Sequence, residues 1–253
     1  MVYEIYHQTA FHYQNIVTFS HNIARLKPKE ALGQKVLDFT MDVEPLAYEE
    51  SRFVDMFGNE ASHILIREAH DSLQVIGKSH VEVDEALLNR RHEEARESTM
   101  TYAQALEYFA AFNESAIESK LFLFDSERIS KASEAIKTYA LASFNPQRNL
   151  VEAAHEFMER IYEDFAFVPG FSDVTTPIEE IFEAKKGVCQ DFAQFAIAAL
   201  RSIGLPTKYM SGYIETIAPE GKPKLFGTDA SHAWFALFIP HFGWMELDRK
   251  SVV

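Results

Sequence analysis

The chain has 253 residues, 47% of them hydrophobic and 13% aromatic, which suffices for the core of one large domain or two smaller ones. Its formal net charge of −14 argues against a nucleic-acid or anionic-membrane partner, since both require a basic face. The beginning of the sequence lacks a secretory signal, no apolar run approaches about 18 residues, and a single cysteine cannot form an internal disulfide, so we expect a cytoplasmic protein.

Residues 2–83 have the pattern of an antiparallel β-sandwich with short strands. β-Branched and aromatic residues fill pieces such as VYEIYHQTAFHYQ and SHILIREA, and turn residues separate these pieces. The segment Phe57-Gly58-Asn59 is a predicted hairpin turn, because glycine and asparagine tolerate a positive φ. We therefore assign residues 1–85 to a β-rich N-terminal domain.

Residues 78–145 contain neither glycine nor proline, which favours helix. Helix-forming composition runs through EALLNRRHEEARES, TYAQALEYFAAFN and SERISKASEAIKTYALASF. We expect residues 86–145 to form a helical bridge that packs on a C-terminal domain of residues 146–253. That domain begins with a helix over 149–165, which Asn149 caps. Its predicted apolar stripe consists of Val151, Ala154, Phe157, Met158, Ile161 and Tyr162.

The only cysteine, Cys189, begins a predicted helix. A short helix precedes it, with Pro177 at its first position and its end near Gly187. The cysteine helix ends at Gly204, and its apolar face consists of Phe192, Phe195, Ala196, Ala199, Leu200 and Ile203. Unpaired N–H groups and the positive end of the helix dipole stabilise a thiolate at such a position. Position alone nevertheless favours a structural role, as a small core residue, so a nucleophile requires a base.

A candidate base lies in the last predicted hairpin, which consists of strands over 231–239 and 244–248. Both faces of the first strand are largely apolar, which indicates a central strand. A five-residue loop would place His232 opposite Asp248, a three-residue loop would make them diagonal neighbours, and an even loop would put them on opposite faces. If they pair, His232 is the predicted general base, Asp248 orients it, and Cys189 attacks an acyl carbon.

Two long motifs, GVCQDFAQFAIAALRSIGLPTKYMSGY and DASHAWFALFIPHFGWMELD, carry a family pattern. They are similar to the bacterial branch of the transglutaminase-like superfamily, with its cysteine after Gly-Val, its Gly-[Ile/Leu]-Pro, its Ser-His-Ala-Trp and its Gly-Trp-x-x-[Phe/Leu]-Asp. Residues 2–83 resemble the β-rich domain that often precedes this core, on the cues YQNIVTFSHNIARLKP and DMFGN.

The resemblance implies an α+β chain, in which an N-terminal antiparallel β-sandwich precedes a papain-like transglutaminase core. It implies a Cys189–His232–Asp248 triad, acyl transfer or hydrolysis at peptide or isopeptide bonds, a peptide or protein substrate, and no calcium or other cofactor. The family usually continues Asp-Pro-Thr-Asn, whereas DRKSVV begins at Asp248 here, which suggests a truncated or altered C-terminus. A binding or scaffold module that has lost catalysis is therefore the alternative, and an N-terminal domain that recruits a partner protein is a further hypothesis.

Four aromatic residues are predicted to line the cleft or bind substrate: Trp234, Trp244, Tyr209 and Tyr213. Simple packing is the alternative for each of them. Asp191, in the first turn of the cysteine helix, is expected to interact with the helix dipole. The ten histidines show no metal-binding spacing, so no metal site is predicted. Substrate identity, the choice between hydrolysis and transamidation, and the oligomeric state stay open.

Overall fold

The computed structural model describes residues 1–111, 114–214 and 231–248. It divides into two compact units, Met1–Arg91 and His92–Val253. Within the described ranges, no helix is both long and apolar enough to span a bilayer. The departure from the family pattern after Asp248 falls on residues 249–253, outside the described residues.

The first unit is a sandwich of two three-stranded antiparallel sheets, with strand orders β1-β6-β3 and β2-β5-β4. Two of its strands, β1 and β6, are longer than the short strands that the sequence suggests, because the alternation of more exposed and less exposed residues continues along them. The strands are β1 (Val2–Val17), β2 (Ser20–Ala24), β3 (Gln34–Glu44), β4 (Glu49–Val54), β5 (Glu60–Ile66) and β6 (His70–Val83).

A small apolar core joins the two sheets. Ile64 and Ile66 of β5 are fully buried against Leu73 and Val75 of β6. Since β5 and β6 belong to different sheets, these contacts hold the sandwich together.

The predicted turn between β4 and β5 is confirmed. The two strands pair antiparallel from Val54 and Glu60 onward, and Gly58 has a φ of +76°. The Asp55 carboxylate accepts the N–H groups of Phe57 and Asn59, each at 2.9 Å. The turn is therefore closed by one acidic side chain as well as by the glycine.

The second unit combines helices with an antiparallel sheet of order β11-β10-β9. The boundary between the two units, after Arg91, falls within the helix α1 (Glu85–Arg96). The remaining elements are α2 (Tyr102–Ala110), α3 (Glu114–Lys120), a 3-10 helix (Leu121–Leu123), α4 (Glu134–Leu141), α5 (Leu150–Asp164), β7 (Ala166–Phe167), α6 (Ile178–Ala184), β8 (Lys186–Gly187), α7 (Cys189–Ser202), β9 (Thr207–Tyr213), β10 (Ser231–Ile239) and β11 (Gly243–Leu247).

The helical prediction for residues 78–145 is too broad. Residues 78–83 still belong to β6, and residues 124–133 are not helical. Separate helices form because the hydroxyl of Thr101 caps α2 and the hydroxyl of Ser133 caps α4. Such caps start new helices without any glycine or proline in the sequence.

The helices α5 and α6 form where the sequence predicts them, but some of their end residues and faces differ from the prediction. Asn149 caps α5 by accepting two N–H groups, and the predicted stripe is buried except for Tyr162, which is 55% exposed. Pro177 is the N-cap of α6 and not its first residue, and α6 already ends at Ala184, because Lys185 takes a left-handed conformation.

The cysteine helix α7 lies at the centre of the second unit. It packs against β9, β10, α4 and α6, and its predicted apolar face is buried. Gly204 follows it with a φ of +84°, as predicted. The Tyr102 hydroxyl donates to the Ile203 carbonyl at 2.7 Å. These contacts hold the helix that carries Cys189.

Candidate active site

The thiol of Cys189 is half-buried and lies at the first residue of α7. It hydrogen-bonds to the side chain of His232, and the backbone N–H groups of Ala233 and Gln190 donate to the sulfur. The bond to His232 is the largest influence on the pKa of Cys189, which lies below its ordinary value although burial acts to raise it. A thiolate is therefore favoured at this position.

His232 connects the thiol to Asp248. Its Nε2 lies 2.8 Å from Asp248 Oδ2, which leaves Nδ1 as the ring nitrogen for the thiol. Ile239 pairs with Gly243, so the hairpin loop has three residues, and His232 and Asp248 are diagonal neighbours, one of the two arrangements that allow contact. The Asp248 hydrogen bond, followed by the Cys189 bond, raises the pKa of His232 to about 9, although burial opposes the rise.

Cys189, His232 and Asp248 line one common pocket. Most of its wall is apolar and comes from α5, α7, β7, β10 and β11, namely from Met158, Ile161, Phe167, Phe192, Phe235 and Leu247. Charges in this pocket interact strongly, because apolar walls screen them poorly. Among the described residues, no group of three or more histidine, cysteine, aspartate and glutamate side chains could hold a metal ion.

Trp234 also lines this pocket and lies beside His232. The two rings stack, with centroids 5.7 Å apart and planes at 21°. The indole Nε1 donates to Glu246 Oε2 at 2.8 Å. At Gly212, which is opposite His232 in β9, a Cβ atom would lie only 2.8 Å from the Trp234 ring. The indole is thus held by a stack, a carboxylate and a glycine.

Trp244 belongs to a different cluster and does not line the Cys189 pocket. Its ring packs edge-on against Phe122 and Phe238, at centroid distances of 4.8 and 5.3 Å. The ammonium group of Lys208 lies 4.4 Å from its centroid. The structure therefore gives Trp244 the packing role that was the alternative to cleft lining.

Tyr209 and Tyr213 lie on the same face of β9, and each is 37% exposed. Burial raises the pKa of Tyr213. Burial also raises the pKa of Tyr209, to about 12, and the negative charges of Cys189 and Asp191 contribute to that rise. The charge of Cys189 therefore reaches Tyr209.

Asp191 does more than its expected interaction with the helix dipole. It is only 2% exposed, and its Oδ2 accepts the Val188 N–H at 2.7 Å and the Ser172 hydroxyl. A Cβ atom at Gly187 would lie 2.8 Å from this oxygen. Asp191 therefore caps the start of α7 and ties the Ser172 loop to it. The sequence feature that indicates this cap is an acidic residue at the third helical position, because Val188 at the N-cap has no polar side chain of its own.

Two stretches of the chain match known protein families. Residues 3–82 match the bacterial transglutaminase-like N-terminal region, and residues 137–249 match the core of the transglutaminase-like superfamily. The chain belongs to the transglutaminase-like superfamily. An uncharacterized protein of Mycobacterium tuberculosis is 32% identical over 98% of this chain and 78% of its own length. One from Mycobacterium leprae is 26% identical over 98% and 83%.

A solved crystal structure has a fold similar to that of this chain. The crystal structure of a "putative cysteine protease" from Cytophaga hutchinsonii matches with a TM-score of 0.72 and 18% identity. The match covers 100% of this chain and 80% of that one. The predicted fold class, an antiparallel β-sandwich followed by an α+β transglutaminase core, is confirmed.

Proposed function

We propose that the protein is a cysteine-dependent enzyme that transfers or hydrolyses acyl groups at peptide or isopeptide amide bonds. The observation that carries this proposal is the hydrogen-bonded series from Asp248 through His232 to Cys189. It contains a nucleophile with a lowered pKa, a base in contact with it, and a carboxylate that orients the base. Family membership supports the same chemistry.

The reaction follows from the two altered pKa values. The pKa of His232 is raised to about 9 and that of Cys189 is lowered, and both shifts favour the imidazolium–thiolate pair over the neutral pair. The thiolate forms a C–S bond to the acyl carbon, and the C–N bond breaks as His232 gives its proton to the leaving amine. Neutral His232 then takes a proton from water or from an acceptor amine, which attacks the thioester and frees Cys189.

The proposed substrate is a peptide or protein, and we propose that the enzyme acts on it in the cytoplasm. The pocket beside Cys189 is largely apolar, so it favours an uncharged group next to the scissile amide. A thiol that must stay reduced fits a reducing compartment. Cell fractionation with an antibody to the protein tests the compartment, and recovery outside the cytoplasm would contradict it.

Alkylation of Cys189 tests the proposed nucleophile. Cys189 is the only cysteine of the chain, so iodoacetamide labelling of the wild type reports on this thiol alone. At about pH 7 we expect labelling on the order of 10-fold faster than that of N-acetylcysteine, because a larger fraction is thiolate. His232→Ala should abolish the advantage. His241→Asn, in the loop of the same hairpin, is the matched control, since asparagine tolerates the positive φ at that position.

A peptide library with and without an added amine tests the reaction itself, with Cys189→Ala as the inactive control. Cleavage alone indicates a peptidase, and products that contain the added amine indicate a transferase. If Cys189 reacts no faster than N-acetylcysteine, the proposal is wrong. If it reacts fast but no peptide turns over, the fold serves as a binding or scaffold module instead.

A further inference from the structure

Trp234 lies beside His232 on the same face of β10. The two residues are two positions apart in the strand, so their side chains project from one face. Both line the pocket of Cys189. Their rings stack with centroids 5.7 Å apart and planes at 21°, which is the geometry of an offset aromatic pair. The indole therefore covers one side of the imidazole.

The sheet leaves room for this stack at Gly212. This glycine of β9 is opposite His232, and a Cβ atom there would lie 2.8 Å from Cη2 and 3.3 Å from Cζ3 of Trp234. Both of these atoms belong to the six-membered ring of the indole. A side chain at position 212 would therefore displace the ring from its present place.

The five-membered ring of the indole is held as well. Its Nε1 donates to Glu246 Oε2 at 2.8 Å. Glu246 is opposite Ala236 in the β10–β11 pairing, so it lies on the same face of the sheet as Trp234. The indole is thus fixed at both ends, and the imidazole beside it can rotate only as far as this fixed ring allows.

The orientation of the imidazole matters because His232 contacts two partners at once. Its Nε2 lies 2.8 Å from Asp248 Oδ2, and the thiol of Cys189 hydrogen-bonds to the same side chain. Rotation of the ring about its bond to Cβ would move both nitrogens away from these partners. A neighbour that restricts this rotation therefore preserves both hydrogen bonds.

The titratable groups around His232 come from α7 and from the end of β11. Asp248, after β11, and Cys189, in α7, contact the imidazole and raise its pKa. Asp191 of α7 accepts a backbone N–H instead, and Glu246 of β11 accepts the indole N–H. From β9, the residue opposite His232 is a glycine, without charge.

The stack favours the charged form of the imidazole. The π face of an indole attracts a cation that lies within about 6 Å of the ring centroid, and the attraction is larger where water is excluded. The His232 side chain is only 3% exposed. Trp234 therefore stabilises the imidazolium, and with it the thiolate of Cys189.

We propose that Trp234 is a positioning residue, whose indole holds the His232 imidazole between Asp248 and Cys189 and stabilises its charged form. The inference rests on the proposed function. Trp234 acts through His232 and neither forms nor breaks a bond in the reaction. The thiolate still attacks the acyl carbon, and His232 still carries the proton.

The rate of iodoacetamide labelling against pH, measured on the full chain, tests this role. The midpoint of the acid limb reports the equilibrium between thiol and thiolate, whereas a change in access to Cys189 alters the plateau. We expect Trp234→Leu to move the midpoint to higher pH by about one unit, a roughly 10-fold loss of thiolate on the acid limb. Trp234→Phe keeps a ring beside His232 and should move the midpoint less.

Trp244→Leu is the matched control for Trp234→Leu. Trp244 is the other tryptophan of the chain, and it packs against Phe122 and Phe238 in the same sheet. Its replacement removes an equal amount of side chain and should leave the midpoint where it is in the wild type. A purely structural contribution of either tryptophan would affect stability without this difference in the midpoint.

Two substitutions of Glu246 provide the test if Trp234→Leu does not fold. Glu246 is exposed, and both Glu246→Ala and Glu246→Gln remove its charge, but only glutamine keeps an acceptor for the indole N–H. We expect the midpoint to lie at higher pH in Glu246→Ala than in Glu246→Gln, because the released indole restricts the imidazole less. Equal midpoints in the two variants would contradict the role of Trp234.

Three results with the tryptophan variants would overturn the proposal: a wild-type midpoint in Trp234→Leu, an equal shift in Trp234→Phe, or an equal shift in Trp244→Leu. Each can occur while wild-type Cys189 still alkylates faster than N-acetylcysteine, in which case the proposed nucleophile survives. Slow alkylation of the wild type would instead remove the proposed function itself.

Discussion

Replacement of Asp248 by asparagine removes the carboxylate that holds His232 and preserves its shape. The pKa of His232 rises from 6.5 to about 9, with the Asp248 hydrogen bond as the largest cause. At about 1.4 kcal/mol per pKa unit, the whole rise corresponds to about 3 kcal/mol. Cys189 supplies part of it, so we expect Asp248→Asn to lower the free energy of unfolding by about 2 to 3 kcal/mol where the imidazolium is present.

The effect depends on pH with a definite sign. A histidine whose pKa is higher in the folded state stabilises the fold fully below its unfolded value of 6.5, and this contribution is lost as the pH rises through about 9. The difference between wild type and Asp248→Asn should therefore be large at about pH 6 and small above about pH 9. The same variant should raise the pKa of Cys189, because His232 is the main cause of its lowering.

Urea unfolding at those two pH values measures the difference. Both tryptophans of the chain, Trp234 and Trp244, lie in the second unit, so their fluorescence follows the unit that contains Asp248. The rate of iodoacetamide labelling against pH measures the thiolate, and its acid limb should move to higher pH in Asp248→Asn.

Glu246→Gln is the control for Asp248→Asn. Glu246 lies in β11, two residues before Asp248. Its replacement removes the same charge and keeps an acceptor for the Trp234 indole, so both the stability and the labelling rate should stay near wild type. An equal loss of stability at both pH values, or an equal shift in Glu246→Gln, would refute the assignment of Asp248 as the partner that charges His232.

Three further substitutions test the supporting contacts. Gly212→Ala places a methyl 2.8 Å from the Trp234 ring, so we expect a loss of about 1–3 kcal/mol and altered tryptophan emission; an unchanged Tm and spectrum would contradict the close contact. Asp191→Ala leaves the Val188 N–H without its acceptor and should cost about 1–3 kcal/mol in urea unfolding, with Asp191→Asn losing less; equal losses would mean that the hydrogen bonds are unimportant. The pKa of Asp55 is lowered to about 2, so its contribution to the β4–β5 turn is fully present above about pH 3.8 and disappears as the pH falls through about 2. The protection of the turn amides against exchange, relative to their intrinsic rates at each pH, should fall over that range in the wild type but not in Asp55→Ala, and identical profiles would rule out the carboxylate.

Local patterns in the sequence predicted the cysteine helix well. The steps of three and four between Phe192 and Ile203 identified a face that is buried, and Gly204 ended the helix as expected. Helical periodicity and a left-handed glycine depend on neighbours in the sequence, so they can be recognised without the fold.

Helix boundaries between residues 78 and 145 were less predictable. The absence of glycine and proline suggested continuous helix, but the Thr101 and Ser133 side chains start new helices. Serine and threonine occur inside helices as well as at their ends, and only the surrounding packing decides which role they take.

Contacts between distant residues needed the tertiary structure. The depth of Asp191 depends on the Ser172 loop, whose approach no periodicity reveals. Trp234 and Trp244 are similar in the sequence motif, yet one stacks on His232 and the other packs between Phe122 and Phe238. The two tryptophans differ in role because the fold brings different residues against each ring.

Residue types and motif spacing are properties of the chain, so they were enough to identify the family and to single out Cys189, His232 and Asp248 for the proposed chemistry. The tertiary structure decided how they meet. The turn signals allowed loops of three or five residues, and the Ile239–Gly243 pair selects three. The resulting 2.8 Å contact between His232 and Asp248, with the thiol on the other ring nitrogen, governs both pKa values, because charge interactions depend on distance and burial.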